Sequence, residues 1–232
     1  MTNKLGTLYI VSTPIGNLAD ITYRAVEILK TVDVIAAEDT RRSRVLLSNY
    51  DIKTKMISYY EHNKYQKIKK ITENLLNGHH VAVITDAGTP AISDPAYKLV
   101  RQAIKVGCNI ESIPGPSAVL ASLVSSGLPT DRFIFEGFLP PKKGRKKRLE
   151  NLINESGTII IYENTLRLNR TITQILEIIG DRPAVLCREL TKIHEEKIRG
   201  TLSSLLDLLS SKKLKGECVL LIGKDDKNVY FE

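Results

Sequence analysis

Three observations predict an α/β fold with mostly parallel sheets and flanking helices. Short β-rich apolar runs alternate with helical patterns almost from end to end, glycine closes several of the helical patterns, and the turns after several strands are built from small residues and proline. The strands are expected at residues 7–12, 33–37, 81–85, 109–113, 133–137, 158–162, 184–188 and 218–222. Between them, Ile68, Ile71, Leu75 and Leu76 recur at i, i+3, i+7 and i+8 and define an amphipathic helix that Gly78 ends. Leu99, Val100, Ala103 and Ile104 define a second, ended by Gly107. Leu168, Ile172, Ile175, Leu176 and Ile179 define a third, ended by Gly180. Strands separated by helices pair in parallel, because the helix is the crossover that returns the chain to the same edge.

The 232 residues have room for one large or two modest domains. Pro114-Gly115-Pro116 is the strongest punctuation in the chain, with a fresh helix after it. An N-terminal α/β lobe over 1–116 and a C-terminal α/β lobe over 117–232 are therefore expected. Pro140-Pro141 marks a loop inside the second lobe, leading into a basic helix.

Composition narrows the class of function. Hydrophobic residues at 42% and charged residues at 26% fit a globular chain, and no apolar run reaches the ~18 residues of a membrane helix or resembles a signal-peptide core. Cys108, Cys187 and Cys218 are odd in number and widely spaced, which fits a reducing cytoplasm. The net charge of +8 favours a polyanionic partner such as nucleic acid.

Several chemistries lack their residues. There is no G-x-G-x-x-G after the first strand and no G-x-x-x-x-G-K-[ST], which argues against a nicotinamide dinucleotide or a P-loop nucleotide. His194-Glu195 begins like H-E-x-x-H, but Ile198 stands where the second ligand would be, so no metal is expected. His79-His80 reads as a solvated loop pair, and no G-x-S-x-G elbow or activated cysteine offers covalent catalysis.

In parallel sheets, ligands bind beyond the carboxyl ends of the strands. Three turns stand there: Thr13-Pro14-Ile15-Gly16-Asn17, Asp86-Ala87-Gly88-Thr89-Pro90 and Pro114-Gly115-Pro116-Ser117-Ala118. Each joins small residues that admit a ligand to the backbone with a proline that stiffens the turn. After residue 37, Glu38-Asp39-Thr40-Arg41 packs acids and a base, where Asp39 or Thr40 serves as a helix N-cap, as a chemical group, or as both.

These turns, together with Ser12 before the first, Leu18, His62-Asn63, Ser93-Asp94-Pro95 and Gly137-Phe138-Leu139-Pro140, resemble the small-subunit ribosomal RNA cytidine 2'-O-methyltransferases of the tetrapyrrole methylase superfamily. The resemblance runs from about residue 8 to 222. It implies a two-lobed tetrapyrrole-methylase-like fold, S-adenosylmethionine in a cleft between the lobes, and a homodimer. It also implies methylation of a cytidine ribose in the decoding centre (P site) of 16S ribosomal RNA, as naked RNA or as the small ribosomal subunit. By position, the cofactor would touch Ile15, Asp86, Thr89, Ser117 and Ala118, with Glu163 on the second-lobe side.

Proton acceptance from the ribose hydroxyl would fall to Asp39 or His62, and Arg41 would hold a phosphate or ribose oxygen. Lys142, Lys143, Arg145, Lys146, Lys147 and Arg148 form a dense basic run that reads as an RNA contact or as a solvated helix face. The chain departs from the family where Asn164-Thr165-Leu166-Arg167 replaces the usual x-Pro-His-Arg, at Ala96 in place of glycine, and in stopping soon after its last strand. Two other functions fit the same residues: a tetrapyrrole C-methyltransferase, and a non-enzymatic RNA-binding ribosome-assembly factor.

Overall fold

The computed structural model describes residues 4–61, 64–94 and 96–231. The chain forms two compact units, Met1–Ser117 and Ala118–Glu232.

The first unit runs β1 (Thr7–Val11), α1 (Tyr23–Thr31), β2 (Val34–Ala37), α2 (Thr40–Asn49), β3 (Met56–Ser58), α3 (Lys64–Leu76), β4 (Val81–Ile84), α4 (Ala96–Lys105) and β5 (Asn109–Ile113). Its sheet has the order β3-β2-β4-β1-β5, and every pairing is parallel, as the alternation of strand and helix predicts. Successive residues of a strand point to opposite faces, and both faces are covered. Val81 and Val83 of β4 join Leu8, Ile71, Leu75 and Leu99 in one core, beneath α3 and α4. Ala82 and Ile84 join Val11, Leu29, Ile35 and Leu47 in the other, beneath α1 and α2. This double burial explains why the central strands read as continuous apolar runs.

The second unit runs α5 (Ala118–Ser126), β6 (Phe133–Phe138), α6 (Arg145–Glu150), β7 (Thr158–Asn164), α7 (Thr165–Ile179), β8 (Pro183–Arg188), β9 (Glu196–Thr201), α8 (Leu202–Ser211) and β10 (Glu217–Ile222). Its sheet, ordered β6-β7-β10-β8-β9, differs from the expected parallel arrangement: only β6 and β7 pair in parallel, and β10 lies antiparallel between β7 and β8. The β8–β9 connection carries no helix and is too short for a crossover, so that pair is antiparallel too. Leu139, Ile159, Leu168, Ile172, Leu186 and Leu220 share one core on the face covered by α7 and α8. The glycines expected to stop helices do so with positive φ, at Gly78, Gly107 and Gly180. No helix among the described residues is long and apolar enough to cross a membrane.

Candidate active site at the carboxyl edge of the parallel sheet

The parallel order brings the carboxyl ends of β2, β4, β1 and β5 to one edge, and the residues that follow them lock together. The β1 turn is stitched to the β4 turn by reciprocal backbone bonds between Thr13 and Gly88, of 2.9 and 3.0 Å, and the Thr13 hydroxyl donates to the Thr85 carbonyl at 3.1 Å. The hydroxyls of Ser12 and Thr89 lie 3.0 Å apart, and Thr89 donates to the Pro116 carbonyl at 3.2 Å, which ties in the β5 turn. Gly88 takes φ of +84°, and a Cβ there would stand 3.4 Å from Cγ2 of Ile15. At Gly115 a Cβ would approach that of Ser12 to 3.0 Å. Close backbone approach is thus what these glycines permit.

Acidic residues gather at the β2 and β4 ends. Glu38 Oε2 accepts from the Thr85 hydroxyl at 2.6 Å and from the Asp86 N–H at 3.3 Å. Asp86 Oδ1 accepts the Asp39 N–H at 3.0 Å, and Arg42 Nη1 reaches Asp86 Oδ2 at 3.2 Å. Burial, with the charge of Glu38 beside it, raises the Asp86 carboxyl above its usual value of 3.8. Asp39 caps α2, accepting the Arg41 N–H at 2.8 Å, and the Arg41 side chain grips both of its oxygens, at 3.1 and 2.8 Å. That grip holds Asp39 well below the usual carboxylate range. The geometry therefore supports the capping role, since so acidic a carboxyl is a weak proton acceptor. His62 lies outside the described residues.

Ile15, Thr89 and Ser117 are half-buried in the first unit, and Ala118 opens α5 in the second. The parallel edge therefore collects Ile15, Asp39, Arg41, Asp86, Thr89 and Ser117. Sequence reasoning assigns no role to Ser12 or Thr85 and does not pair Glu38 or Arg42 with Asp86. The signal for three of them is position, since Ser12, Glu38 and Thr85 each stand directly after a strand.

In the second unit, Arg145 corrects the expectation of an exposed basic run. Its side chain is 5% exposed, and it donates to Gln174 at 2.7 Å, to the Thr171 hydroxyl at 2.6 Å and to the Pro140 carbonyl at 3.2 Å. Glu163, buried beside it, lies 3.9 Å from its guanidinium, accepts from Thr171 at 2.7 Å and pairs with Arg167 at 2.7 Å. Arg145 thus fastens the Gly137-Phe138-Leu139-Pro140 turn to α7 and is not placed to meet phosphate. Lys142, Lys143, Lys146 and Lys147 are exposed, with Lys146 3.8 Å from Glu150, and Arg148 pairs with Glu136. Among the described residues, no group of His, Cys, Asp and Glu is placed to hold a metal ion.

Two units, one an all-parallel sheet whose carboxyl edge carries small-residue turns and the other a mixed five-stranded sheet, define an α/β protein. The chain belongs to the Tetrapyrrole (Corrin/Porphyrin) Methylases, which it matches over residues 7–206. It is 48% identical over 224 residues to a protein of Halalkalibacterium halodurans named ribosomal RNA small subunit methyltransferase I, covering 96% of this chain and 78% of that one. A Thermotoga maritima protein of the same name is 47% identical over 222 residues, covering 95% of this chain and 100% of its own. The fold is also that of a Thermus thermophilus uroporphyrin-III C-methyltransferase solved with S-adenosyl homocysteine. That match has a TM-score of 0.68 and 17% identity, and covers 94% of this chain and 98% of the other.

Proposed function

We propose that this chain is an S-adenosylmethionine-dependent methyltransferase of small-subunit ribosomal RNA that methylates the 2'-oxygen of a cytidine in the decoding centre. The observation that carries the reading is the sheet edge around Asp86, in a chain close to half identical over almost its whole length to proteins named as small-subunit ribosomal RNA methyltransferases. Burial and the neighbouring Glu38 raise the Asp86 carboxyl, and a single exposed cation, Arg42, stands against the two acids, so a ligand bearing an ammonium and a sulfonium suits this edge. Asp86 and Thr89, with Ile15, Ser117 and Ala118, would hold that cofactor, on turns that Gly88 and Gly115 let pack closely against Ile15 and Ser12. Bound there, S-adenosylmethionine supplies an activated methyl group.

The chain's own residues then have to align the acceptor, since in-line transfer gains most from positioning. Arg41 and the exposed Lys142, Lys143, Lys146 and Lys147 suit phosphates. A phosphate that drew Arg41 away would also free Asp39 to accept the ribose proton, and His62 is the other acceptor. Glu163 acts through Arg145, which fixes the turn ending at Pro140. The protein is proposed to work as a cytoplasmic homodimer, a state that sedimentation checks directly.

The test is mass mapping of ribose methylation on small-subunit RNA from cells lacking the protein and then regaining it. A cytidine that loses and recovers its methyl group supports the reading, and an unchanged map overturns it. S-adenosylmethionine that does not bind in calorimetric titration would point to an assembly factor. Methylation of a tetrapyrrole polycarboxylate in place of RNA would point to the C-methyltransferase.

A further inference from the structure

Helices α3 and α4 bury one side in the core through Ile71, Leu75, Leu99 and Ala103, and their other side carries an unusual set of residues for a solvated surface. Tyr97, Arg101, Ile104 and Lys105 fall at i, i+4, i+7 and i+8, one face of α4, with Tyr97 50% and Ile104 62% exposed. They border a shallow depression of about 580 Å³ that Lys98 and Gln102 complete. From α3, Tyr65 is 73% exposed, and its hydroxyl lies 3.2 Å from Lys98 Nζ, which sits 5.1 Å from the ring centroid. Helix α4 carries three cations and no acid, and α3 adds Lys67, Lys69 and Lys70 against one acid, Glu73.

We propose that this outer face of α4, with Tyr65 beside it, is a second RNA-binding surface that takes single-stranded RNA, with phosphates on Arg101 and Lys105 and a base stacked on Tyr97. Exposed aromatic rings set among cations are what unpaired nucleic acid requires, since every base offers a stacking face and every linkage a negative charge. Charge decides against the other occupants. A second copy docked here about a two-fold axis would set cations against cations with no acid on α4 to relieve them. A membrane surface would need the helix's apolar side, which Leu99 and Ala103 have committed to the core.

The inference rests on the RNA reading, and its test separates the two. A short unstructured RNA carrying 2-aminopurine, whose emission falls on stacking, is titrated with the full chain over a range of salt concentrations. Arg101→Gln with Lys105→Gln is expected to lower the salt slope by ~0.7 for each phosphate no longer neutralised. Tyr97→Leu is expected to weaken binding by roughly fivefold to a hundredfold, to keep the slope and to lose the quenching, with Tyr97→Phe restoring both. Unchanged affinity and slope in these variants, while the wild type still methylates small-subunit RNA, overturn the surface alone. Variants that change only the sedimenting mass reassign the face to a second copy and overturn it as well. A wild type that neither binds nor methylates RNA overturns the RNA reading and this surface with it.

Discussion

Asp86 sits where a carboxylate is costly, and the cost has a sign that can be measured. Its pKa is raised, so the ionised form that an ammonium ligand needs appears only as pH climbs through the shifted value. S-adenosylmethionine affinity is therefore expected to fall as pH is lowered through that value. Asp86→Asn should flatten this limb and weaken binding by ~1 to 3 kcal/mol, as calorimetric titration across pH would read. A group with a raised folded pKa contributes stability below its unfolded pKa and loses it as pH rises through the folded one. Asp86→Asn should thus fold at least as stably as wild type at neutral pH, which separates lost affinity from lost folding. A limb that persists in the variant removes Asp86 from the cofactor site. Arg145 makes the complementary case. Arg145→Leu is expected to cost about 3 kcal/mol in urea denaturation, because Glu163 would stay buried with only Arg167 against it. Gln at Lys142, Lys143 and Lys147 should leave the midpoint in place. Sequence could not make this distinction: Arg145 stands among five like residues, and what buries it is Thr171 and Gln174, one α-helical turn apart on a helix far along the chain.

At the scale of elements, legibility followed apolar content and turn punctuation. Strands β1, β2 and β4 were readable because the middle of a parallel sheet is apolar, and the edge strand β5 because clear turns flank it. The two strands without a sequence signal, β3 and β9, are both sheet edges. Strand β3 is three residues long, and β9 carries Glu196, Lys197 and Arg199, the charged composition that keeps an edge from pairing with strangers. The antiparallel β8–β9 pairing escaped for a related reason, since β9 itself gave no strand signal. The site turns were legible as turns, while their mutual bonding was not, because Thr13 and Gly88 meet only through the sheet order. Gly88→Ala tests that junction. Placing a Cβ on a left-handed residue costs roughly 1 to 2 kcal/mol, and here it also comes into contact with Ile15. A lower melting temperature together with weaker S-adenosylmethionine binding is expected. An unchanged affinity would mean that the ligand does not lie against this turn.

At the scale of the whole chain, the division into two units with separate cores can be read through the three cysteines. Cys108 belongs to a core of the first unit and Cys218 to that of the second, while Cys187 lies buried on β8, beside β10. Burial pushes the Cys187 thiol up to about 11 and that of Cys218 to about 12, and raises Cys108 as well. The thiolate is the reactive form, so each sulfur should resist modification until its surroundings open. In the absence of denaturant, a thiol reagent is therefore expected to label the folded chain negligibly. In rising urea, Cys187 and Cys218 should become reactive together, because they stand on paired strands and the same opening frees both. Cys108 has no strand in common with them, and if each unit is its own cooperative structure it should label with a different free energy and a different urea dependence. Mass spectrometry of the partly labelled protein reads the three sites separately. Equal free energies at all three would show one cooperative structure in place of two. Cys187 and Cys218 labelling apart would mean that β8 and β10 separate before the second unit unfolds.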